Sequence, residues 1–148
     1  MQTFLPYPDF AESARCLDRQ RLGKQRVEVL QLLRALLVPG SGWSNHPAAK
    51  MWRGHEASLI DYGLAICDEW HYVRKYEDTV AGKITDLMLD YGFDKSNDPP
   101  WLGSPEFHSS HKSNLLRKDP IWYGQFGWTE PPTLEYVWPV RAEVRSKV

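Results

Sequence analysis

Five cations fall within the fourteen residues RCLDRQRLGKQRVE (15–28) of a chain whose formal net charge is −1. On one unbroken helix, Arg15, Arg19 and Arg26 would lie within about 40° of one another, with Arg21 and Lys24 pointing elsewhere. A stripe of three guanidiniums suits phosphate oxygens, which each can grip in a bidentate fork. Such contacts set affinity and position rather than sequence choice. Pairing with Glu12, Asp18 or Glu28 would instead make these arginines an ordinary helix surface. A second constellation is His108 and His111, followed by Lys112, Arg117 and Lys118. Histidines three apart can share a metal, but no Cys or carboxylate completes a ligand set and there is no HExxH, so no metal site is expected. With Ser109 and Ser110 the pair could hold a phosphate beside helix-terminal N–H groups, or only cap the helix. His46 and His55, nine residues apart, fall on opposite sides of a helix and make no pair. Trp122, Tyr123, Phe126 and Trp128 could stack on a base or fill the core.

Helices must carry these groups. Pro6 and Pro8 keep residues 1–8 out of a helix. Leu22, Val29, Leu30, Leu33, Leu36 and Leu37 recur at helical spacing, which predicts a helix over about 10–38, capped by Asp9 or Ser13 and weakened or split at Gly23. The loop VPGSGWSN follows. A long helix is predicted from near Pro47 to Tyr76, a third over 79–91 stopped by Gly92, and a fourth from Ser104, with Pro105 at its first position, to the residue before Pro120. The tail TEPPTLEYVWPVRAEVRSKV has three prolines and reads as extended across the surface. No stretch alternates as a strand does. The chain is therefore expected to be all-α, a compact single domain (1–148) of four to five helices with an extended C-terminal tail.

Composition narrows the setting. The 148 residues suit one domain, and 42% of them are hydrophobic, enough for a core. No apolar run reaches the roughly 20 residues of a membrane span. The start lacks the charged and apolar regions of a signal peptide. Two cysteines give no disulfide framework, and the cytoplasm is the expected compartment. Charge is uneven: residues 1–60 carry +3, 61–107 carry −6 and 108–148 carry +2. If the two basic ends meet in space, they make one positive face on an acidic body, a footprint for a polyanion.

Three segments, in order, resemble a known family: LDRQRLGKQR (17–26), HPAAKMWRGHEASLIDY (46–62) and FHSSHKSNLLRKDPIWY (107–123). The family is the pyrimidine-dimer DNA glycosylase/AP lyase of the phage endonuclease V type, with its bacterial relatives. ITDLMLDYGF (84–93) resembles the family helix that closes in Gly-Phe. The resemblance implies a compact all-α protein that binds and kinks duplex DNA. It also implies attack on the damaged nucleotide's C1′ by the N-terminal α-amine, assisted by a carboxylate and an arginine of the first helix. That chemistry uses the chain's own groups, so no cofactor is expected.

Carried onto this sequence, the nucleophile is the α-amine of Met1, or of Gln2 if Met1 is removed. Arg26 is the assisting cation and Glu28 the acid/base. Arg15, Arg19, Arg21, Lys24, His55, His108, His111, Lys112 and Arg117 are the expected DNA contacts. Two departures stand out. Gln2 should hinder removal of Met1. Aligned on Asp18 and Arg26, the family carboxylate falls on Val27, with Glu28 about 100° further round the helix. A base-excision glycosylase acting as a monomer on duplex DNA, with AP-lyase activity, is the leading expectation. A non-catalytic binder of damaged or modified DNA, and a same-fold enzyme acting on another base or nucleotide, stay open beside it.

Overall fold

The computed structural model describes residues 1–40, 42, 44–92 and 98–139. Seven α-helices are present among them: α1 (Phe10–Cys16), α2 (Arg19–Leu37), α3 (Pro47–Trp52), α4 (Glu56–Asp68), α5 (Val80–Tyr91), α6 (Pro105–Lys118) and α7 (Pro120–Tyr123). A π-helical turn, Glu69–Val73, extends α4, and a 3₁₀ turn, Gly124–Phe126, follows α7. The protein is all-α with an extended C-terminal tail, as expected. Phe93 and residues 140–148 of that tail lie outside the described residues.

All four predicted helical stretches form, but two are broken, at places the periodicity did not mark. The first divides at Leu17–Asp18, not at Gly23. Leu17 leaves the helix with ψ 138°, and Asp18 starts α2 as its N-cap, its carboxylate accepting from the N–H of Arg21. Gly23 stays helical, and its missing side chain makes room for Trp70: a Cβ there would sit 2.8 Å from the indole ring. The second stretch divides at Gly54, whose φ of +88° is the left-handed region that ends α3.

The core lies where α4 packs against α1, α2 and α5. Leu22, Val29, Leu32 and Leu33 of α2 meet Leu59, Tyr62 and Ile66 of α4, and Ile84 of α5 closes one side. Gly63 makes that crossing close: a Cβ on it would stand 2.6 Å from Val29 Cγ1 and 3.0 Å from Ile84 Cδ1. A helical valine has one favoured rotamer and cannot swing away. Gly63→Ala should therefore cost about 1–3 kcal/mol through overpacking, more than the gain from alanine's helix preference of roughly 0.5–1 kcal/mol. Urea unfolding at constant m-value would show it.

Candidate active site

The first five residues run along the core without helical bonds of their own, and side chains from three helices meet their backbone groups while a fourth helix bonds a side chain. Gln25, fully buried on the apolar face of α2, accepts from Phe4 N–H at 2.9 Å and donates to the Gln2 carbonyl at 2.7 Å. Tyr62 donates to the Phe4 carbonyl at 2.6 Å, and Trp52 to the Thr3 hydroxyl at 3.0 Å. The HxxH pair of α6 clamps one residue: His111 Nδ1 accepts from Leu5 N–H at 2.9 Å, and His108 Nδ1 donates to the Leu5 carbonyl at 2.7 Å. His108 Nε2 in turn accepts from Gly103 N–H. This accounting leaves the start of the chain no freedom to wander.

The clamp delivers Met1 and Gln2 to a pocket of about 290 Å³. Glu28 and Lys24 of α2 form one wall, with Gln20 and Arg21 from the first turn of the same helix. Lys118 at the end of α6 and Tyr136 of the tail form the other, over Phe4. The described lining therefore comes from residues 1–28 and from beyond 117, with cations from both, and the acidic segment 61–107 contributes nothing to it; the charge excess of the C-terminal end lies outside the described residues.

Burial pushes the Glu28 carboxyl above its ordinary value, against the pull of the N-terminal ammonium and Lys24. Burial also lowers Lys118, with Arg21, Arg117 and Lys24 adding repulsion. His46, whose ring caps α3, is lowered by burial and then by the N-terminal ammonium. An amine, a half-buried carboxyl and several cations thus share one concavity, the arrangement expected where acid/base work is done beside an anion.

The helix break redistributes the arginines. Arg15 sits exposed on α1, and α2 carries the others, so no single three-arginine stripe exists. Arg19 is exposed over the Tyr76 ring at 5.5 Å and lines a neighbouring cleft with Gln20, Trp70 and Trp122. Arg21 pairs with Asp18 at 3.1 Å and still faces the amine pocket. Burial pushes the Asp18 carboxyl up, but hydrogen bonds from Tyr123 and Arg21 hold it below its ordinary value.

Arg26 does not line the pocket. Its guanidinium pairs with Asp78, the carboxylate that also accepts from the first N–H groups of α5, and lies over Trp70 at 4.5 Å from the ring centre. It ties α2 to α5, and Arg21 is the arginine that faces Met1's pocket instead. His108 and His111 are 5% and 0% exposed and committed to Leu5, so they offer no surface to a ligand. Lys112 lies over Tyr7 and Trp128, and His55 stands at the start of α4, both apart from the pocket lining. Arg117 donates to Pro132 and Asn114 and borders an adjoining cleft.

Glu28, not the partly exposed Val27, therefore stands beside the amine. Three participants escaped the sequence reading. Lys118 stands out in the sequence only as a neighbour of Arg117. Gln25 carried a legible signal, a polar side chain three residues from Leu22 and four from Val29 on an otherwise apolar face. Tyr136 carried none, since an aromatic in a proline-rich tail has no period to place it.

A family model described as pyrimidine dimer DNA glycosylase matches residues 1–82. No curated protein and no solved structure matches the chain.

Proposed function

Because the chain belongs to the pyrimidine dimer DNA glycosylase family, we propose that it excises pyrimidine-dimer bases from duplex DNA through an imine to its N-terminal amine, with AP-lyase activity. The observation that carries the reading is that Met1 and Glu28 line one pocket ringed by Arg21, Lys24 and Lys118. The α-amine of Met1 attacks C1′ of the damaged nucleotide, the glycosidic bond breaks, and the departing base takes the electron pair and a proton. Loss of the amine's proton and opening of the sugar ring give the imine. The Glu28 carboxylate then removes a C2′ proton, the 3′ C–O bond breaks with phosphate as leaving group, and water releases the amine. Arg21, Lys24 and Lys118 hold the flanking phosphates, joined by the exposed Arg15, Arg19 and Arg117 on the same basic ends.

α-Amines are much less basic than lysine side chains, which favours the chain terminus over Lys24 as nucleophile. Gln2 also lines the pocket but is buried and held, its side-chain oxygen accepting from Thr3 N–H and its carbonyl from Gln25, which makes Met1 the natural carrier. The protein with its native N-terminus should form a borohydride-trapped adduct with a duplex carrying an abasic site, and cut a duplex carrying a thymine dimer, but leave undamaged duplex alone. Peptide mass spectrometry should place the adduct on residue 1. Binding without any adduct or base release would refute the imine route.

A further inference from the structure

The tail is a built strap, not a loose end. Leaving Gly127, it runs along α6, with Ser109 donating to Glu130, Ser113 to the Pro131 carbonyl and Arg117 to the Pro132 carbonyl. It turns at Pro132–Thr133 and comes back, Leu134 bonded to Ser113 and Asn114 and Val137 N–H to Ser110. The polar face of α6 therefore has one evident use, which is to hold this segment.

The returning leg delivers Tyr136. Its ring meets the buried His111 ring edge to face at 5.4 Å, so the residue that clamps Leu5 also seats Tyr136. Tyr136, together with Lys118, lines both the amine pocket and an adjoining cleft bordered by Arg117 and Trp138. Trp138 lies 5.8 Å away and reaches His46 on the far side. The Tyr136 ring is half-buried, with its hydroxyl pushed up to about 12 by burial. A rigid aromatic face between an amine and two cations has the composition that takes an unstacked base and its phosphate. None of the strap falls within residues 1–82, where the family model matches.

We propose that Tyr136 is a specificity-determining residue that stacks on the base of the nucleotide whose C1′ is attacked, the strap being the element that presents it. This rests on the amine reading above. An abasic site has no base to stack, so it supplies the internal control. Tyr136→Ala should lower kcat/KM on thymine-dimer duplex about 10- to 100-fold more than it lowers borohydride trapping on abasic duplex. Tyr136→Phe should behave as wild type, and Tyr136→Leu, which keeps apolar bulk, should fall with Tyr136→Ala. Equal losses on both duplexes would make Tyr136 a mere prop of the pocket and overturn the proposal, as would no loss on either, or a loss in Tyr136→Phe matching that in Tyr136→Ala. If wild type forms no adduct on abasic duplex, the amine reading fails by itself. The affinities of the same variants for the two duplexes still decide the stacking contact, since loss confined to the dimer supports it and equal affinities refute it.

Discussion

Glu28→Gln should abolish most strand cleavage while leaving the protein folded and bound to DNA. The carboxyl lines the pocket that holds Met1, and its neighbours there are cationic: Lys24, Arg21 and Lys118. A positioned acid/base group contributes typically 10²–10⁴-fold, so strand cleavage of thymine-dimer duplex should fall by about that factor. The amide keeps size and hydrogen bonding but cannot take up the C2′ proton. Affinity for undamaged duplex should hold or rise slightly, because one negative charge leaves a cationic surface. The pH profile adds a signature. Burial raises the Glu28 carboxyl, so the acid limb of kcat/KM should lie above the ordinary carboxylate range in wild type and vanish in Glu28→Gln. A variant retaining activity within about threefold of wild type would remove Glu28 from the mechanism.

The second large effect is on stability. His111 is fully buried, and burial, with His108 adding, lowers it from 6.5 to about 3. The unfolded chain titrates at the ordinary value. Between the two, the unfolded chain binds a proton that the folded one refuses, so stability is complete above about pH 6.5 and drains away as pH falls toward 3. The slope should approach one proton, about 1.4 kcal/mol per pH unit. His108, lowered by burial as well, adds in the same direction. Protonation of His111 also removes the acceptor for Leu5 N–H, releasing the segment that seats the amine. Urea unfolding from pH 7.5 to 4.5 should show the fall, and His111→Asn, which keeps an acceptor near Nδ1 without the titration, should flatten it by about one proton. An unchanged slope in that variant would assign the acid sensitivity elsewhere.

Much of this was local and therefore legible. Helical spacing of Leu22, Val29 and Leu33, the Pro105 start of α6 and the Gly92 stop of α5 depend on near neighbours, so the order of helical stretches could be read from the chain. The motifs in residues 17–26 and 46–62 lie within the segment that the family model matches. What failed were inferences that assumed a helix continued. The break at Leu17–Asp18 arises because Tyr123, 105 residues away, bonds both the backbone N–H and the carboxylate of Asp18, and no window of sequence contains that. Gly23, which looked like the break, is a contact surface for Trp70.

The candidate site divides the same way. Sequence alone determined that cations gather in residues 15–28, that both ends are basic, and that a carboxylate and a terminal amine were the chemical resources. Only the tertiary structure decided their use. It turned Arg26 inward to Asp78 and Arg21 toward the pocket, converted the HxxH pair from a ligand candidate into a clamp on Leu5, and brought Tyr136 beside Met1. The reason is that a side chain's type fixes what it can do, whereas its partner is fixed by whichever distant segment packing places within hydrogen-bond reach.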